Sequence, residues 1–205
     1  MLGTTAHRLA GFVLWGLLVG APDFAMAQNS YQVEILLFSQ STITDKEVFS
    51  SRAPDTLYLE ARLRSVMRLT SSIEPQPSLT GHLAAIRDIL ARNPNYDVLS
   101  HTHWIQDAPT PSVATWVTID TSMEASAELS GHFRLYTAGP LYFDTLVQYR
   151  PQLERHSSNL EMSADGDNVQ PTYFLAQTRR LKLKEVHYFD HPRFGLLATI
   201  WPVGK

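Results

Sequence analysis

Apolar positions in this chain recur mostly at every second residue, and that spacing predicts strands. Tyr31, Val33, Ile35 and Leu37 alternate with Gln32, Glu34 and Leu36, so an opening strand is expected there. Tyr96 to Ile105 reads as a second strand and Val113 to Ile119 as a third. Leu129, Phe133 and Leu135 against Ser130, His132 and Arg134 predict another, with one wet face. Gly139-Pro140 marks a turn into Leu141 to Tyr149. A long closing hairpin is expected from Tyr173 to Phe189 and from Phe194 to Val203, around Asp190-His191-Pro192. Asp190 is the residue expected to cap that turn through its own backbone.

Helical spacing occurs twice. Leu83, Ile86, Ile89 and Leu90 share one helix face, with Thr80 as N-cap and Asn93-Pro94 as a stop. Leu59, Leu63, Val66 and Met67 show the same spacing, but Pro54, Pro75 and Pro77 flank them, so Ser39 to Gln76 reads as mixed and irregular. Ser157 to Pro171, rich in Ser, Asp, Asn and Gly, reads as a polar loop. A strand, a helix and then strands in succession predict an α+β fold. The expectation is a single domain, mainly an antiparallel β-sheet with one or two helices packed on it.

The amino terminus follows a different pattern. Arg8 precedes an apolar core from Leu9 to Ala21, Pro22 ends it, and Ala25-Met26-Ala27 supplies small residues for cleavage. This predicts a signal peptide over residues 1–27 and a mature domain over residues 28–205. The apolar core is shorter than the ~20 residues of a membrane span. No span is therefore expected after cleavage. The chain has no cysteine, which excludes disulfides, a cysteine nucleophile and a lipidated cysteine. A net charge of −3 without a basic tail gives nothing to hold nucleic acid. The simplest location for such a chain is the bacterial periplasm.

Motifs for catalysis are weak. His101 and His103 fall on one face of a strand and could begin a zinc site completed by His187 or His191. Histidines bordering a half-exposed sheet account for them better. No Gly-x-Ser-x-Gly setting is present, and Asp165-Gly166-Asp167 lacks the further acids of a calcium loop. No cofactor, metal or catalytic residue is assigned. Cations are more suggestive: Arg180, Lys182 and Lys184, at two-residue steps, predict a positive ladder along one strand, with Arg179 on its other side. Such a ladder attracts carboxylates, although a lysine-guarded edge is an equal alternative. Trp104 and Tyr188 are candidate stacking surfaces for sugar rings. Arg180, Lys182, Lys184, Trp104 and Tyr188 are thus the candidate ligand-binding residues.

Three blocks resemble one family: Tyr31 to Phe38, Tyr96 to Gln106, and Gln177 to Arg180 with Glu185 to Gly195. The chain resembles the CsiV family of periplasmic peptidoglycan-binding proteins of Gram-negative bacteria. That resemblance implies a non-enzymatic accessory role in cell-wall synthesis. The implied partners are peptidoglycan, a bifunctional penicillin-binding protein and its lipoprotein activator. It carries over no catalytic or ligand-contacting residue. A protein–protein adaptor without glycan binding is the alternative, and a cell-wall hydrolase a more distant one.

Overall fold

A computed structural model describes residues 30–40, 56–121, 127–151 and 172–204. The expected signal peptide and the polar run 157–171 lie outside the described residues. The described elements are β1 (Ser30–Gln40), α1 (Thr56–Arg68), β2 (Gln76–Pro77), α2 (Ala84–Ala91), β3 (Tyr96–Asp107) and β4 (Val117–Asp120). They continue with β5 (Ala127–Thr137), β6 (Leu141–Pro151), β7 (Tyr173–Leu181), β8 (Val186–His191) and β9 (Phe194–Pro202). A first sheet has the order β2-β3-β1-β9-β8 and a second the order β4-β5-β6-β7. All strand pairs are antiparallel, as the α+β reading expects.

The period-two pattern decides which face is buried. Val33, Ile35 and Leu37 of β1 and Leu196, Ala198 and Ile200 of β9 meet Leu129, Phe133 and Leu135 of β5 and Phe143 and Val147 of β6 in one core. The two sheets therefore pack face to face. Each outer face is partly covered by a helix. Val66 of α1 forms a second small core with Trp116 and Leu146, so residues 56–68 are helical despite the flanking prolines. On that helix Leu63 and Met67 remain exposed.

Three expectations about strands and turns change. The strand foreseen from Val113 begins at Val117, because residues 111–113 form a turn. The long closing hairpin splits in two. β7 ends at Leu181 in the second sheet, and the chain crosses at Lys182–Glu185 to begin β8 in the first. Lys184 makes that crossing with a φ of 62°, left-handed backbone that L side chains rarely adopt. At the remaining β8–β9 turn it is His191, not Asp190, that holds the corner: its Nδ1 accepts the Arg193 N–H at 3.1 Å. Asp190 instead accepts the Tyr188 hydroxyl at 2.8 Å.

Gly195 shows why the closing block tolerates no side chain at its centre. It faces Phe38 across β1 and β9, where the Phe38 and Tyr188 rings stack at 6.3 Å. A Cβ on Gly195 would overlap the Phe38 ring and press on Tyr188. Gly195→Ala should therefore cost about 1–3 kcal/mol, the usual range for forcing volume into a packed site. Urea denaturation should show a lower midpoint with an unchanged slope.

Candidate functional site

The outer face of the second sheet carries the richest arrangement of charge. Cross-strand partners share a face, and the register aligns Arg134 with Asp144 and Asp144 with Thr178. One row along, Tyr136 faces Tyr142 and Tyr142 faces Arg180. Asp144 is 2% exposed and takes Arg134 Nη2 at 2.5 Å. Arg134 Nε reaches the same oxygen at 3.0 Å. Arg62, delivered by α1, lies 3.7 Å from the other oxygen, and Thr178 donates its hydroxyl there at 2.5 Å.

Aromatic rings position the guanidiniums. Arg134 stands 4.8 Å from the Trp116 ring centre and 5.1 Å from that of Tyr136, and Arg62 stands 5.0 Å from that of Tyr58. These distances are within cation–π reach. Burial first, and then the Asp144 charge, push the Tyr136 phenol above its ordinary value, so it stays a neutral donor. These residues line a cavity of about 250 Å³. Nη1 of Arg134 has no partner among the described residues, and Arg180 stands exposed two strands away on β7. Around Asp144 the guanidiniums of Arg62, Arg134 and Arg180 thus share one part of this face with a single described carboxylate, while further along it Arg150 pairs with Glu128 and Asp120 accepts the Ser130 hydroxyl. The excess positive charge, with flat apolar walls, is suited to an acidic group carried on a larger ligand.

The five residues singled out from the sequence separate in space. Arg180 belongs to this face. Lys182 and Lys184 do not, because the chain leaves the sheet after Leu181 and the expected ladder breaks there. Lys182 Nζ pairs with Glu185 at 3.5 Å. Lys184 Nζ sits 5.5 Å from the Trp201 ring centre on the first sheet, and His82 stacks on that ring at 3.8 Å. Trp104 is 2% exposed and packs in the main core, its Nε1 donating to Gln106 Oε1 at 2.6 Å. It presents no ring face to solvent. Tyr188 is 39% exposed on the first sheet; burial, and then the hydrogen bond to Asp190, raise its phenol pKa. Sequence spacing missed Arg62, Arg134 and Asp144. Arg134 was legible as a wet-face residue, but only pairing shows that a carboxylate lies opposite.

Comparison with known proteins adds a decisive observation. The family model described as "Peptidoglycan-binding protein, CsiV" matches residues 9–203, nearly the whole chain. The chain belongs to the CsiV family. No curated protein and no solved structure matches it. Membership in a family of peptidoglycan-binding proteins fits the arginine-rich face, because cell-wall peptides carry carboxylates.

In this CsiV chain three of the four histidines considered for zinc are bonded within the fold: His101 to Glu34, His187 to the Lys182 backbone and His191 to the Arg193 N–H. His103 Nδ1 is buried without a partner among the described residues. His101 Nε2 lies 2.7 Å from Glu34 Oε1. No group of three metal-ligating side chains occurs among the described residues. Glu34 is fully buried on the outer face of β1. It accepts the His82 N–H at 2.7 Å, the Leu83 N–H at 3.0 Å and the Ser78 hydroxyl at 3.2 Å. Those amides open α2, whose N-cap is Leu83, not Thr80, and lacks a side-chain cap of its own. A carboxylate from another element thus completes the helix terminus, where its charge also suits the helix dipole. Gly81 permits the approach, since a Cβ there would collide with the carboxylate. Burial raises the Glu34 carboxyl pKa, but the His101 bond and the Leu83 and His82 amides outweigh it and hold the value at about 2.

Proposed function

We propose that this CsiV protein is a non-catalytic periplasmic module that holds peptidoglycan through the outer face of its second sheet. The carrying observation is the pair Arg62 and Arg134 on one buried Asp144, beside Arg180. Two guanidiniums already oriented by a fixed carboxylate and aromatic rings lose little entropy when an acidic ligand arrives. Stem-peptide carboxylates are the acidic groups that peptidoglycan offers. Binding without bond cleavage suits an accessory role beside a bifunctional penicillin-binding protein and its lipoprotein activator. Among the described residues no helix is long and apolar enough to cross a membrane.

Sedimentation with purified sacculi tests this reading. The unmodified protein should pellet with sacculi at low salt and be released as salt rises. Arg180→Ala removes an exposed cation without disturbing Asp144, and should weaken retention about three- to tenfold, the size of one exposed-to-partly-buried charge contact. Retention unchanged in Arg180→Ala and in Arg62→Ala would exclude this face. In-cell crosslinking from the same face checks the accessory role, and recovery of no wall-synthesis protein would count against it.

A further inference from the structure

Beside β3 and β4, residues 71–77 border a cleft of about 680 Å³ that the arginine face does not share. That volume lies within the usual ~300–1,000 Å³ of small-molecule sites. Its wall departs from the pattern that fills the sandwich. Inward positions of β1, β5 and β9 carry aliphatic and aromatic side chains. On β3, the positions two and four residues before the inward Trp104 are Thr102 and Ser100, and Thr121 lies two residues beyond the inward Ile119. All three line the cleft.

The hydroxyls of Thr102 and Thr121 are buried without hydrogen-bond partners. They are two of the four such side-chain atoms among the described residues; the other two, His101 Nδ1 and His103 Nδ1, do not line the cleft, so this wall holds half of the unmet side-chain hydrogen bonding. Among the described residues the lining contains no Lys, Arg or His, and its charged members are Glu74 and Asp120. An anionic ligand therefore finds no counter-charge here. Hydroxyl and carboxylate groups match a ligand bearing hydroxyls and amides, and Pro75 and Pro77 offer apolar surface to the C–H face of a sugar ring.

We propose that this cleft binds an uncharged, N-acetylated amino-sugar segment of the glycan strand, while the arginine face takes acidic groups. The proposal rests on the peptidoglycan-binding reading and divides the polymer between two surfaces. Titration with the N-acetylglucosamine tetramer, which has neither peptide nor charge, isolates the cleft. Methyl NMR of the purified chain should show shifts at Thr102, Thr121, Ile73 and Ile119. Thr102→Val, which keeps side-chain shape, should weaken the tetramer about fivefold, the loss of about one hydrogen bond. Ser100→Ala gives a second, milder variant. Raising salt should change the affinity by less than about twofold, because no charge is paired.

Three results would overturn the assignment: no methyl shifts up to the solubility limit, shifts confined to the arginine face, or preference for the deacetylated, cationic tetramer. The last would make the cleft an ammonium site. Tetramer binding that persists in Arg180→Ala supports the division. If sacculi fail to bind while the tetramer still shifts the cleft methyls, the arginine-face reading falls and the sugar site stands.

Discussion

Glu34→Ala should lower stability by about 3–5 kcal/mol, the cost of breaking a buried charged pair and stranding its partners. The substitution leaves His101, the Ser78 hydroxyl and the His82 and Leu83 amides without their shared acceptor. It also removes the only side-chain acceptor described at the α2 terminus. Urea denaturation at neutral pH measures the loss, and a cost under about 1 kcal/mol would mean the carboxylate is replaceable by water.

The acid limb provides the second half of this expectation. The folded-state pKa of Glu34 is lowered from 4.5 to about 2. A depressed carboxyl pKa adds stability that is complete above the unfolded value and is lost as pH falls through the folded one. The window therefore runs from about pH 4.5 down to about pH 2. Integrated over that window the effect is about 3 kcal/mol. Glu34→Gln keeps the shape and cannot titrate, so its stability curve should be flatter there. Parallel curves for the two proteins would remove Glu34 as the cause.

The second large effect concerns Asp144. Asp144→Ala should destabilise by about 3–5 kcal/mol, since Arg134 and Arg62 would face each other without a counter-charge. Loss of packing would produce a similar number, so the informative experiment is a cycle. Replacing both partners with apolar side chains, Arg134→Met with Asp144→Leu, should recover a good part of the loss. A coupling energy of at least about 1 kcal/mol is expected for residues in direct contact. Additive single effects would show that the pair does not act as a unit. The double variant should also lose sacculus binding despite being folded, which separates the stability role from the ligand role.

Much of the fold was readable from spacing. Alternation along Tyr31–Leu37 and Leu129–Leu135 correctly marks which residues enter the core, because a strand turns successive side chains to opposite faces. Asn93-Pro94 ends α2 as expected, since proline cannot continue the hydrogen-bonded turn. The α1 residues show what spacing weighs poorly. Flanking prolines argued for irregular chain, whereas Val66 packing against Trp116 and Leu146 secures the helix.

The candidate site was less legible. Arg180, Lys182 and Lys184 look like one ladder only while the strand is assumed to continue; the left-handed Lys184 sends the chain into the other sheet. Trp104 looks like a stacking platform until its inward parity is fixed by the partner sheet.

Apart from the break between β7 and β8 and the start of β4, local patterning by itself determined most of the strands and their apolar faces, the helix stop and the family resemblance of the closing block. Each of these depends on neighbours within a few residues. Which strands share a sheet, the meeting of Arg62, Arg134 and Asp144, and the capping of α2 by Glu34 were decided only by the tertiary structure. Those contacts join residues 10 to 82 positions apart. Periodicity records which way a side chain points, but the partner opposite it is set by strand register and sheet packing.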